Sequence, residues 1–381
     1  MDVAYAELHA GLFRPINRLR RLRLFVSLWL VLSLMSAQPA QANGELDPRL
    51  NEQVIQIPLA DGKKLVATVF KPDGKGPFPL VVINHGKSLG DPKKQPRYRP
   101  FSAATVFVSR GYAVIAPMRE GFGESDGKFS LGDCSTLKDG YRQARSIKHT
   151  LDHIRKQPWA DTSRILLAGQ SHGGLASVAF LAAYPEYEGI KGAINFSGGL
   201  RARACAWQQE MEEAFADYGK KAKRPSLWFY AENDSFFSQE LVQASYRAYT
   251  SAGGQATLVE PGPFKKDGHQ LFGDPQGVSI WWPPTQRFLE SLGLPTKATD
   301  RSFARKDIAL REQLKSTYVA QFGDIPERCA SVMEAYFKAN YPKYFVVSDK
   351  GNCTASWGPQ AKTQSIKTCQ EKNQTGCRYL N

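Results

Sequence analysis

No apolar run in this 381-residue chain reaches the ~18 residues that a membrane-spanning helix needs. Internal repeats are missing as well. Glycine (32) and proline (23) show no excess, which excludes collagen-like and low-complexity classes. The basic residues give a net charge of +14, yet they form no aromatic-interleaved patch, so nucleic-acid binding is not expected. No C-x-x-C pair supports a zinc site, which leaves metal binding as the weaker rival for the cysteines. Histidine is scarce, at six residues, so a search for a general base is short. What remains is an ordinary globular balance, 42% hydrophobic and 23% charged, in a length that suits one large domain with an appendage or two to three smaller ones.

The first residues read as an export signal. Arg14, Arg18, Arg20, Arg21 and Arg23 precede an apolar stretch from Leu24 to Leu34, and Ser36–Ala42 carries an A-x-A site. A membrane anchor is the rival reading, but the apolar run is too short for it. The absence of cysteine near the cleavage region argues against a lipid anchor. Residues 1–42 are therefore expected to be removed, leaving a periplasmic or secreted protein without a stable membrane span. In that compartment the six cysteines favour disulfides. Cys134 with Cys205 is the preferred pair, leaving four cysteines for the C-terminal part.

The body alternates strands and helices. Val54–Pro58 and Lys64–Phe70 suit an antiparallel pair. Leu80–Asn84, Tyr112–Ala116, Arg164–Gly169, Ile190–Phe196, Ser226–Ala231 and Ala256–Glu260 are short apolar runs of the buried-strand type. Between them, Ser102–Arg110, Leu137–Lys156, His172–Tyr184, Gln239–Tyr249 and Thr285–Leu292 suit helices. Such alternation predicts an α/β protein whose mostly parallel sheet has helices on both faces.

The chemistry centres on Gly169-Gln170-Ser171-His172-Gly173-Gly174. A buried strand runs into G-x-S-x-G and a helix follows, the context of a nucleophile elbow. A serine hydroxyl needs a base. His9 leaves with the signal; His85 and His172 are better placed to shape the oxyanion site. His149 and His153 are four apart on a helix without the adjacent Glu of a zinc-peptidase motif. His269, in a loop after the last strand, remains as the base. The orienting acid should follow the strand ending near Ala231; Asp234 is preferred and Glu232 is the alternative. Oxyanion donors are expected from the backbone amides of His172 and, after the strand ending at Asn84, Lys87. No cofactor or metal is called for.

Together, Asn84-His85-Gly86, Arg119–Gly127, Gly169–Gly174, Asn233-Asp234 and Gly268-His269 make residues of about 50–295 resemble the α/β-hydrolase superfamily, nearest its dienelactone-hydrolase-like and peptidase-like branch. Arg119–Gly127 is similar to the superfamily's R-G-F-G-x-S-x-G turn, with Glu120 between Arg and Gly. The resemblance implies a catalytic domain over 43–297 that cleaves an ester or amide bond through an acyl-enzyme. The substrate would be a small molecule or a polymer. A serine where dienelactone hydrolases carry cysteine argues against lactone hydrolysis of that kind. A peptidase of the same fold and a catalytically silent binding protein are the alternatives. Only about thirty residues separate Phe196 from Ser226, too few for a large cap. Lys87, Lys93, Lys94, Arg97, Arg99, Arg201 and Arg203 are expected near the mouth, either as a solvated surface or as a preference for anionic substrates. Within the separate C-terminal segment 298–381, about fifty residues resemble a small appendage of exported bacterial hydrolases, with a strand–turn–strand, a helix and a disulfide of the Cys369–Cys377 kind. Cys329–Cys353 is the pairing expected for the other two, and a module this small needs such links.

Overall fold

The computed structural model describes residues 45–129, 134–202, 205–372 and 375–380. The expected export signal, 1–42, and Arg203 lie outside the described residues. The described residues belong to one compact unit.

Strands β1 (Gln53–Pro58), β2 (Lys64–Phe70), β3 (Phe78–Asn84), β4 (Ala113–Met118), β5 (Ala160–Gln170), β6 (Ile190–Phe196), β7 (Ser226–Phe229) and β8 (Ala256–Val259) form one eight-stranded sheet. Its order is β1-β2-β4-β3-β5-β6-β7-β8. β2 runs antiparallel to β1 and β4, and every pairing from β4 through β8 is parallel. This is an α/β-hydrolase architecture. Alternate side chains of each strand enter opposite cores, as the period of two demands. Val81, Ile83, Val114, Leu166 and Ala168 pack under helices α1 (Phe101–Val108) and, near the C-terminal end of the domain, Val278–Ser291. Leu80, Val82, Ile115, Ile165 and Leu167 pack beneath α2 (Thr136–Ile154) and α3 (His172–Ala183).

Among the described residues, the segment between β6 and β7 holds one helix, α4 (Trp207–Lys221), which packs in the helical layer beside α3 and α5 (Gln239–Ser251). No cap domain is built from it. The last helix of this body, α6, starts at Val278, earlier than the expected Thr285, because it continues through Pro283 and Pro284. Paired prolines ordinarily signal a break in a helix, so the sequence hid its first half.

The C-terminal part consists of α7 (Ser302–Phe322), α8 (Glu327–Lys338), β9 (Lys343–Val347), β10 (Cys353–Trp357), α9 (Ala361–Glu371) and β11 (Arg378–Tyr379). Its three-stranded sheet, β10-β9-β11, has its own cluster of Leu314, Met333, Phe337, Phe345 and Val347. Cys329–Cys353 and Cys369–Cys377 cross-link it, and Cys134–Cys205 joins the approach to α2 to the approach to α4. Disulfides in this number suit an oxidising compartment. Arg49, buried against Asp47, reaches Asp307 of α7 at 2.7 Å and ties the body to the C-terminal part. Among the described residues no helix is long and apolar enough to cross a membrane.

Candidate active site

The parallel strands deliver their carboxyl ends to one edge of the sheet, the place where such folds put their ligands. There β5 passes into α3 at Ser171, whose φ of 55° and ψ of −126° are unfavourable for a residue with a Cβ. Strain of this kind typically costs about 1–3 kcal/mol and persists only where the surroundings enforce it. They do so here by close approach. A Cβ on Gly169 would fall 2.2 Å from the Gly173 carbonyl oxygen, and one on Gly173 only 2.1 Å from that of Asn84. The two glycines of G-x-S-x-G thus let β5, α3 and the end of β3 meet at the serine. Gly86 lies against it, with a Cβ position 3.3 Å from Ser171 Cβ and 3.9 Å from Oγ.

His269 sits in a short 3-10 turn, Gly268–Gln270, capped by Asp267, whose Oδ1 accepts the His269 amide at 2.9 Å. Its Nδ1 is 3.1 Å and 3.0 Å from the two carboxylate oxygens of Asp234. That carboxylate has no solvent exposure and also accepts the amides of Phe236 (2.8 Å) and Phe237 (3.2 Å). The His269 ring stacks on Phe236, with centroids 4.3 Å apart. The loop is moored to the strand that leads into Ser171: Gln170 Nε2 donates to the His269 carbonyl at 2.6 Å. Glu232, the alternative acid, is exposed and makes no contact with His269 among the described residues. The Ser171 hydroxyl forms no hydrogen bond among the described residues. Contacts of this kind often tighten only with substrate in place.

The amide of His172 is the first of α3 and has no helical acceptor, as for any first-turn N–H. The Lys87 amide likewise meets no backbone acceptor among the described residues.

Two further histidines lie beneath these amides, completely buried. His85 Nε2 accepts the Arg119 amide at 3.1 Å, so the ring's proton is on Nδ1, which donates to the Gly86 carbonyl at 2.7 Å. His172 Nδ1 lies 3.1 Å from Arg119 Nη2, a donor, so its proton is on Nε2 and is given to Asp139. Burial, reinforced by Arg119, holds His85 well below the ordinary histidine range. Burial also lowers His172, with Asp139 opposing it. Burial would raise Asp139, but His172 and Arg142 more than offset that and keep it low. Arg119 is pushed down to about 9 by burial, against the pull of Asp139, and stays cationic at neutral pH. Its Nε donates to Gln143 at 2.9 Å, and Nη1 is buried without a hydrogen-bond partner among the described residues.

Sequence reasoning singled out the Arg119 motif but gave the arginine no role. It placed His85 and His172 near the oxyanion site without their partners. Asp139 and Gln143 stand on α2 with nothing in their local pattern to mark them. The expected basic mouth is also smaller than anticipated. Arg97 and Arg99 both bind the buried Glu52, so they brace the N-terminal segment instead of facing a substrate. Among the described residues no group of three or more His, Cys, Asp or Glu gathers to hold a metal.

A family model, that of the X-Pro dipeptidyl-peptidases (S15 family), matches residues 61–199. The match spans β2 to the end of β6, includes Ser171, and stops before Asp234 and His269. No curated protein matches the chain. Among solved structures the chain is similar to a dienelactone hydrolase from Klebsiella pneumoniae (18% identity, 64% of this chain and 98% of that one, TM-score 0.46). An acylaminoacyl peptidase from Pyrococcus horikoshii shares 19% identity over 63% of this chain and 41% of that one, with a TM-score of 0.47. An esterase from Pyrococcus furiosus shares 17% identity over 65% and 94%, with a TM-score of 0.46.

Proposed function

We propose that this protein is an exported serine hydrolase that cleaves an ester or amide bond through an acyl-enzyme. Ser171 is the nucleophile, His269 the general base, Asp234 the orienting acid, and the Lys87 and His172 amides bind the oxyanion. The observation that carries this reading is the Asp234–His269 pair moored, through Gln170, to a serine held at positive φ on a strand-to-helix turn.

The chemistry follows from these positions. Asp234 binds Nδ1–H and so leaves Nε2 of His269 as the basic nitrogen. Ser171 Oγ attacks the carbonyl carbon and its proton passes to Nε2. The carbonyl electron pair moves to oxygen, where the two amides receive it. Collapse expels the alcohol or amine, which takes the proton from His269. Water then attacks the acyl-serine by the same route, releases the acid and restores the hydroxyl.

The family-model match favours peptides as a second reading, while an open strand edge without a cap suits bulky or polymeric esters as well. The mature protein should be screened against p-nitrophenyl acyl esters, aminoacyl and prolyl amides, and polyesters. Wild type is expected to turn over at least one class and to be labelled by a fluorophosphonate, and Ser171→Ala to do neither. A silent binding protein on this scaffold would show no turnover and no labelling at all, and retained activity in the alanine variant would refute the assignment.

A further inference from the structure

We propose that Arg119 is a positioning residue that aims both oxyanion donors at once, its guanidinium through the side chain of His172 and its backbone amide through His85 to the Gly86–Lys87 peptide. This rests on the reading of Ser171 as a nucleophile and adds to it a residue that touches neither substrate nor triad.

The first arm is direct. His172 carries one donor amide, and its ring is clamped between Arg119 Nη2 on Nδ1 and Asp139 on Nε2. A ring held at both nitrogens fixes the side-chain torsions and thereby the backbone at the start of α3. The second arm uses peptide planarity. In a trans peptide the carbonyl and the following N–H point in opposite directions. The Gly86 carbonyl accepts from His85 Nδ1 at 2.7 Å and from Gln95 Nε2 at 3.0 Å, so the Lys87 N–H of the same peptide must face away from both. Gln95 adds a second brace, since its Oε1 accepts the Ser88 amide at 2.9 Å. The Arg119 amide donates to His85 Nε2 at 3.1 Å, which leaves that nitrogen without a proton and puts the neutral ring's single N–H on Nδ1. Both walls of the oxyanion site therefore lead back to one residue at the end of β4.

The cost of the arrangement argues that it has a purpose. Placing a guanidinium fully inside a protein is unfavourable unless its donors are met, and here Nη1 is not. Hydrogen bonds fixed in advance around a developing charge are worth most where water is excluded.

The test uses the full mature protein, with Arg119→Lys, which keeps the charge and the backbone amide but not the fork, and Gln95→Leu, which loosens only the Lys87 side and lies outside the buried charge cluster. Removing an oxyanion donor outright typically lowers kcat by about 10²–10³-fold. Misaiming one should lower it by about 100-fold in Arg119→Lys and about 10-fold in Gln95→Leu, with KM within about twofold. Affinity for a trifluoromethyl ketone, whose carbonyl becomes an oxyanion on Ser171, should fall by the same factors. A variant that folds like wild type yet keeps kcat within about twofold, or loses kcat without losing ketone affinity, overturns the proposal. Nitrogen-15 spectra of the histidine rings form an arm independent of turnover. His85 should carry its proton on Nδ1 and His172 on Nε2 at neutral pH, and His172 should lose that assignment in Arg119→Lys. The opposite tautomers would overturn the network even if Arg119→Lys failed to fold. A wild type with these tautomers but no turnover would instead overturn the hydrolase reading.

Discussion

Two histidine–aspartate pairs flank Ser171, and they are built for opposite purposes. His269 and Asp234 sit on loops after the last strands of the sheet, and among the described residues only Nδ1 of the imidazole has a hydrogen-bond partner. His172 opens α3 and Asp139 stands on α2, and both ring nitrogens of His172 are bound, one by Asp139 and one by Arg119. A ring with both nitrogens occupied cannot exchange a proton with substrate, so under the proposed function the same two residue types would serve as a base in one place and as a brace in the other. The distinction is topological. The first pair is formed beside the mouth, where ligands enter, and the second between a strand end and two helices, where they do not.

The comparison breaks most sharply on Asp234→Asn against Asp139→Asn. Losing the orienting carboxylate should lower kcat by about 10⁴-fold while the protein still melts cooperatively. Asp139→Asn should act mainly on stability, since removing one partner of a buried ionic cluster costs about 3–5 kcal/mol, with a far smaller loss of kcat. Urea melts paired with steady-state kinetics on both variants test this, and equal effects on rate would erase the distinction between base and brace. The Cys134–Cys205 bridge sharpens it further, because Cys134 immediately precedes the helix that carries Asp139. Replacing both cysteines by serine should cost roughly 2–4 kcal/mol and loosen the buried pair, leaving fluorophosphonate labelling of Ser171 within about tenfold of wild type. A variant that melts unchanged would show the bridge to be without consequence for that side.

The smallest expected effect is on pH. Because burial lowers His85 and His172 in the folded state, the unfolded chain binds more protons just below the ordinary histidine value. Their contribution is therefore complete above about pH 6.5 and is lost as pH falls below it. The lowered Asp139 acts in the same direction at more acid pH, its stabilising effect disappearing as it is protonated. Urea melts at pH 7 and pH 5.5 should show lower stability at the acid value, with a smaller difference in His172→Gln. An equal difference in that variant would remove His172 from the account.

Much of this molecule could be read from its residues. The strand-to-helix turn at Ser171 stood out because G-x-S-x-G requires glycines where strand and helix collide, a local demand that leaves a local trace. The contact between His269 and Asp234 was reachable because few histidines compete for it and Asp234 follows a strand. The expected pairs Cys134–Cys205, Cys329–Cys353 and Cys369–Cys377 are the ones present, though the count of six allowed fifteen connectivities and the C-terminal pairs rested on the resemblance to a small appendage. The first half of α6 was not legible, since its prolines imitate a break. Nor was the arginine–glutamate cluster of Arg97, Arg99 and Glu52, whose members looked like surface charges until the N-terminal segment folded over them.

The alternation of strands and helices, the strand-to-helix turn at Ser171 and the chain order of Ser171, Asp234 and His269 were set by patterns that span a few residues each. Which histidine can accept a proton, and which way the Gly86–Lys87 peptide faces, depended on partners far along the chain. Asp139 lies 33 residues before the ring it holds, and Gln170 lies 99 residues before the carbonyl it moors. Tautomers and peptide orientations answer to hydrogen bonds that exist only once distant strands have met and water has been driven from between them.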